Sequence, residues 1–262
     1  MPLKIIFLNR LIKLIGTLVK ALSYVFHFFF PNKRFTIPSY DSARKKSLKS
    51  TLIPKIIWQT NFTNQASLPV YVNYLFNRLM SSQFEYRYVS TEDRLEFMKE
   101  NASKKIFNAF EQLTDGAAQA DLWRMFVLNH SGGIYMDIDA HLVWPLETII
   151  EESDEEIFLL NKQHYTNYFI ASKPNNKTIQ KTLDIIVENI YQKNIGGGVY
   201  DLTGPGAFNR AIGDEKVNYR YYKITCVQGS FTNEYFQYID KPRGKWTHAK
   251  KEDLLQTKKD DK

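Results

Sequence analysis

Residues 120–140 gather the side chains best suited to chemistry. Asp121 and Arg124 stand three apart in a run that reads as helix, so both project from one face. Gly132 and Gly133 stop that helix and permit a backbone turn. An apolar run, Ile134 to Met136, then leads into Asp137 and Asp139. Side chains two apart in a strand point the same way, which puts both carboxylates on one side of the strand end and turns Ile138 toward the core. Paired carboxylates suit a hard divalent cation held through oxygen, Mg²⁺ or Mn²⁺, with its other positions left for water and phosphate oxygens. Arg124 would add positive charge for a diphosphate.

A bare Asp-x-Asp is common; the composite of helix, Gly-Gly, apolar strand and Asp-x-Asp is not. The frame around it alternates. Residues 55–59, 84–89, 133–137, 157–160 and 168–171 read as strands. Residues 69–81, 91–101, 117–130 and 176–191 read as helices, with Arg94 and Glu96 on the outer side of the second. Strands alternating with helices predict an α/β layered fold with a largely parallel sheet. In such sheets ligands bind beyond the carboxyl ends of the strands, where Asp137 and Asp139 fall.

Charge is distributed unevenly. The 262 residues carry a formal net charge of +7. Residues 1–50 hold ten Lys/Arg and one acid, Asp41, while the remainder holds 25 bases and 27 acids. A basic excess confined to one terminal segment argues against a nucleic-acid-binding domain. The single cysteine, Cys226, excludes an internal disulfide framework and reads as a small buried hydrophobe. No G-x-S-x-G, Walker or dinucleotide-binding fingerprint is present; Gly196-Gly197-Gly198 lacks a following Lys-Ser/Thr.

Residues 3–30 are strongly apolar. Asn9, Arg10, Lys13, Gly16, Thr17, Lys20, Ser23, Tyr24 and His27 recur at spacings of three and four and form one polar, basic face. That pattern predicts a helix lying in a membrane surface, its basic stripe toward anionic headgroups and its Leu/Ile/Phe face in the acyl boundary. Such a helix would be dispensable for chemistry. A single-pass anchor is the alternative.

The chemistry-bearing segment resembles the DXD sugar-binding region of family 32 glycosyltransferases, the yeast-type mannosyltransferases and bacterial capsule and lipopolysaccharide enzymes. It is also similar to the glucosylating domain of large clostridial toxins. Residues 53–60 (IPKIIWQT) resemble the family's opening strand. Asn167 to Lys177, with Thr203-Gly204-Pro205-Gly206, resemble a segment closing the acceptor side. The resemblance implies a GT-A fold, Rossmann-like and nucleotide-sugar-binding, a divalent metal, and transfer with retention of configuration. By it Asp121, Arg124, Asp137 and Asp139 form the catalytic set, Asp137 and Asp139 on the metal and Asp121 and Arg124 on the donor sugar. Trp58 would stack on the base, with Gln59 beside it in the donor site. Near the C-terminus the family's His and Gly-Ser-Trp are replaced: Asp240 stands for the metal-binding histidine, with His248 a rival ligand, and Lys245 and Trp246 would meet the diphosphate.

The expected organisation is a membrane helix at 1–30, a linker at 31–52, one GT-A catalytic domain at 53–249 and a charged tail at 250–262. The expected partners are a nucleotide-sugar donor, a glycan or glycolipid acceptor and a membrane surface, at the cytoplasmic face of a bacterial inner membrane. A nucleotide-sugar hydrolase on the same scaffold and a Golgi-type type II enzyme are the alternatives.

Overall fold

The computed structural model of the chain describes residues 3–46, 50–241 and 250–256. Its first half runs α1 (Leu3–Phe29), β1 (Phe35–Thr36), β2 (Tyr40–Asp41), β3 (Ile56–Thr60), β4 (Gln65–Ala66), α2 (Leu68–Met80), β5 (Glu85–Val89), α3 (Thr91–Asn101), α4 (Lys104–Gln112) and α5 (Gly116–Ser131). The second half runs β6 (Gly133–Met136), β7 (Ala140–Leu142), α6 (Leu146–Ile149), β8 (Glu156–Asn161), β9 (His164–Ser172), α7 (Lys177–Tyr191), α8 (Gly198–Leu202), α9 (Pro205–Ile212), β10 (Tyr219–Tyr221), α10 (Tyr222–Thr225), β11 (Cys226–Gln228) and α11 (Glu234–Gln237).

A seven-stranded sheet, in the order β10-β8-β9-β6-β3-β5-β2, is the centre of the fold. It is mixed rather than largely parallel. β3 runs parallel to β5 and β6, and β10 parallel to β8, but β9 is antiparallel to both β6 and β8. The reason is local. β8 and β9 are joined through Lys162 and Gln163, with Lys162 at φ 56°, and so short a turn can only make a hairpin.

Successive strand residues feed two apolar layers. Ile57, Ile134 and Phe169 pack on the side of α2, while Trp58, Tyr135 and Ile170 pack under α3, α5 and α7. This is the period-two alternation of strands buried on both faces. α5 starts where the Asp115 carboxylate accepts the Ala117 and Ala118 N–H groups and ends at Gly132, φ 66°. Gly133 continues the turn at φ 105°, where a Cβ would lie 2.7 Å from the Ile56 carbonyl oxygen. Only glycine permits so tight a passage from α5 into β6.

The terminal segments are less separable than the sequence suggests. Within the expected linker, β2 pairs with β5 as the outermost strand of the main sheet. At the far end Leu254 is buried, and Leu255 bridges to Leu113. α1 turns part of its polar stripe toward the domain. Asn9, Gly16, Ser23 and His27 of the stripe are buried together with Ile12, whereas Arg10, Lys13, Thr17 and Tyr24 and much of the Leu/Phe face are exposed. The stripe meets polar backbone: Asn9 donates to the Lys223 carbonyl, Lys20 to the Gly229 carbonyl, and the Leu68 N–H donates to His27 Nε2. Among the described residues no helix is long and apolar enough to cross a membrane, which corrects the single-pass alternative for α1.

Candidate active site

A cleft of about 960 Å³ opens beyond the carboxyl ends of β3, β5 and β6. Asp121, Arg124, Asp137 and Asp139 all line it. The Asp137 N–H donates to the Tyr168 carbonyl at 2.9 Å, and the Ala140 N–H closes a turn onto the Asp137 carbonyl at 3.0 Å. The Asp-x-Asp is therefore a turn after the strand, not its last alternating pair. Ile138 is half-buried, packing against the core on the α2 side while also lining the cleft.

What brings the two carboxylates together is Gln228, at the end of β11. Its Nε2 donates to Asp137 Oδ2 at 2.9 Å and Asp139 Oδ1 at 3.2 Å. Burial and, after it, the neighbouring charge of Asp137 raise the pKa of Asp139 to about 7, against the opposing Gln228 and Gln237 side chains. Burial also raises Asp137, against the pull of Arg124.

Arg124 is the hub on the helix side. It pairs with Asp121 at 3.1 Å and Asp137 at 3.3 Å, and donates to the Asn167 carbonyl at 2.6 Å. Burial works against its charge, but Tyr135 and the carboxylates Asp121, Asp137 and Asp139 more than compensate and hold it protonated. Asp121 accepts from Asn167 Nδ2 at 3.0 Å and from Thr203 Oγ1 at 3.1 Å. Burial raises its pKa to about 6, with Arg124 pulling the other way. The Asn167 and Thr203 segments thus converge on Asp121. Tyr135 donates to Asp137 Oδ1 at 2.8 Å. Its position two residues before Asp137 is a signal that strand periodicity offers.

Other predicted residues are placed differently. Trp58 is only 4% exposed and lies against Trp123 and Phe97, its Nε1 donating to the Gly132 carbonyl at 2.9 Å. It packs the core under α3 and α5 and is not among the residues that line the cleft. Gln59 is buried, donating to the Asp137 carbonyl at 3.0 Å and accepting from Tyr86 Oη at 2.7 Å, so it props the Asp-x-Asp turn from beneath. Asp240 gives both oxygens to Arg34, at 2.6 and 2.7 Å, and does not line the cleft. Lys245, Trp246 and His248 lie outside the described residues.

Arg94, expected on the outer side of its helix, is 2% exposed and lines the cleft. It donates to Thr60 Oγ1 at 2.7 Å and Thr91 Oγ1 at 3.2 Å, and among the described residues no carboxylate lies within ion-pair distance. Burial lowers its pKa to about 10. A guanidinium held in the cleft by hydroxyls alone is ready for an anion from outside.

Among the described residues no group of three or more His, Cys, Asp or Glu is arranged to hold a metal. Asp137 and Asp139 still suit one. They share a single amide donor, and of the two only Asp137 has a cation within ion-pair distance among the described residues. That surplus negative charge fits a divalent ion completing its shell with water and phosphate.

Residues 69–156 match the family described as the glycosyltransferase sugar-binding region containing DXD motif. This stretch is similar to the DXD-type glycosyltransferase sugar-binding region. It holds Asp121, Arg124, Asp137 and Asp139, the four side chains that converge in the cleft. Mannosyl phosphorylinositol ceramide synthase SUR1 of Saccharomyces cerevisiae is 33% identical over 93 residues, 35% of this chain and 24% of the yeast protein. The chain thus spans about a quarter of the length of that relative. A solved structure titled PaToxG Glycosyltransferase superposes with a TM-score of 0.52 at 22% identity, covering 62% of this chain and 69% of the other. The DXD region therefore sits on an α/β fold with a mixed central sheet like that of GT-A glycosyltransferase domains.

Proposed function

We propose that the chain transfers a sugar from a nucleotide-sugar donor to a glycan or glycolipid acceptor, with a divalent metal and with retention of configuration. One observation carries this reading: Asp121, Arg124, Asp137 and Asp139 meet at one end of the sheet, Arg124 linking Asp121 to Asp137 and Gln228 linking Asp137 to Asp139. Asp137 and Asp139 would hold Mn²⁺ or Mg²⁺. The ion, when bound, neutralises charge on the leaving diphosphate. Arg124 and Arg94 supply fixed positive charge to the same group. Asp121 accepts from sugar hydroxyls.

In the transfer, the bond from the anomeric carbon to the diphosphate oxygen breaks and a bond to an acceptor hydroxyl oxygen forms on the same face. The acceptor proton passes to the leaving diphosphate. A covalent sugar-enzyme intermediate would need a free carboxylate. Asp121 does not offer one: Oδ1 meets Asn167 and Arg124, and Oδ2 meets Thr203. This occupancy of Asp121 supports the same-face route. The site of action on this reading is the cytoplasmic face of a bacterial membrane, where a soluble donor meets a lipid-linked acceptor.

The test is a thermal-shift screen of UDP- and GDP-linked hexoses with Mn²⁺, because a true donor stabilises the folded state by mass action. NMR of the first-formed product with the donor so found then reads its configuration. A glycoside of retained configuration is expected. Free sugar alone would indicate a hydrolase, and an inverted product would overturn the same-face route.

A further inference from the structure

Among the described residues the outer face of α1 has no partner in the fold. Phe7, Leu14, Leu18, Leu22, Val25 and Phe29 are between 56% and 70% exposed. At about 100° per residue they fall within roughly a quarter of the helix circumference. Single exposed leucines are ordinary, but a contiguous apolar strip along a 27-residue helix marks an interaction surface.

Charge selects the occupant. Exposed Arg10 borders the strip on one side, exposed Lys13 lies further round the same flank toward the domain, and exposed Lys33 lies just past the helix end. The first acidic residue of the chain is Asp41. A second copy of α1 laid face to face would bring bases to bases with no acid on either helix to offset them. An anionic bilayer offers an apolar interior for the strip and headgroup charge for its border.

We propose that the outward face of α1 docks on an anionic lipid surface, with Leu14 and Leu18 at the centre of the buried strip, while the inward polar stripe holds the cleft-bearing domain to that surface. The stripe is suited to this. Lys20 Nζ donates to the Gly229 carbonyl at 2.9 Å, and the Gly229 N–H donates to the Asp139 carbonyl at 3.0 Å. A Cβ on Gly16 would lie 2.7 Å from the Ser230 carbonyl carbon, so the helix backbone itself rests on this segment. The docking helix thereby bears on the loop that carries Asp139. Docking serves the lipid-linked acceptor of the reading above, yet it is measured without donor or acceptor, so either can fail alone.

The experiment floats the full chain with phosphatidylcholine vesicles, with and without phosphatidylglycerol. The wild type should float with the anionic vesicles and much less with the neutral ones. Leu14→Asn with Leu18→Asn and Leu22→Asn should abolish flotation. Arg10→Glu with Lys13→Glu should weaken it roughly tenfold or more, and raised salt should weaken the wild type. A nitroxide on Leu18→Cys gives a readout from a single exposed position, since Cys226 is buried and does not compete for the label. Anionic vesicles should shield that label from a water-soluble relaxing agent. An unshielded label, or a triple-asparagine protein that floats like the wild type, overturns the proposal. So does a wild type that ignores anionic vesicles while sedimenting as a dimer that the asparagine substitutions dissociate, because a second copy then covers the face.

Discussion

The guanidinium carbon of Arg124 stands 4.3 Å from the ring centroid of Tyr135. From there its nitrogens reach Asp121, Asp137 and the Asn167 carbonyl at once. A lysine ammonium is a single point and cannot span the three. Arg124→Lys is expected to lower kcat by roughly 100-fold or more with the melting temperature little changed. Steady-state rates at saturating donor check this.

Arg94 separates binding from stability. Its removal takes away a buried cation that only hydroxyls accompany, so Arg94→Met should keep or raise the melting temperature. Affinity for a nucleoside diphosphate with Mn²⁺ should fall about tenfold or more, the scale of a hydrogen bond to a charged group. Titration calorimetry reads it. Unchanged affinity would make Arg94 a packing residue.

The seat of α1 on the domain is testable at Gly16. Gly16→Leu must push the helix off the Ser230 backbone and should cost about 1–3 kcal/mol in urea denaturation. Turnover should fall as well, because Ser230 adjoins the Gly229 link to Asp139. This differs from the dispensable helix that the sequence pattern suggests.

His27 makes that seat sensitive to acid. Burial lowers its pKa below the ordinary 6.5, nearby Arg34 lowers it further, and Nε2 must stay unprotonated to accept from the Leu68 N–H. The unfolded chain therefore binds this proton more readily than the folded one. The contribution of His27 is whole above about pH 6.5 and declines as pH falls below it. His27→Gln keeps an acceptor and cannot titrate. Between pH 7.5 and 5.5 the wild type should lose more of its unfolding free energy than the variant; equal losses would contradict this.

The region from Asp121 to Asp139 was legible because its signals are local: an i, i+3 pair, a Gly-Gly stop and a short apolar strand. The parts that were not legible depend on distant residues. A polar stripe such as Asn9, Lys20 and His27 suits water and suits buried backbone carbonyls equally, and only the fold shows that Lys223, Gly229 and Leu68 wait for it. The same ambiguity attends Trp58 and Arg94, whose residue types suit ligand or core. Gln228 and Thr203 lie about 90 and 80 residues from the aspartates they contact, with no periodicity to announce them. The mixed sheet follows from the Lys162-Gln163 hairpin, where no glycine marks the turn.

The central claim is metal-dependent sugar transfer at the Asp137–Asp139 turn. It is tested most directly by donor turnover in wild type and Asp139→Asn, each assayed with Mn²⁺, with EDTA, and with Mn²⁺ restored. The wild type should lose activity in EDTA and regain it with the metal, and Asp139→Asn should remain folded with at least roughly a thousandfold lower rate. Full activity in EDTA, or undiminished turnover by Asp139→Asn, would contradict the account.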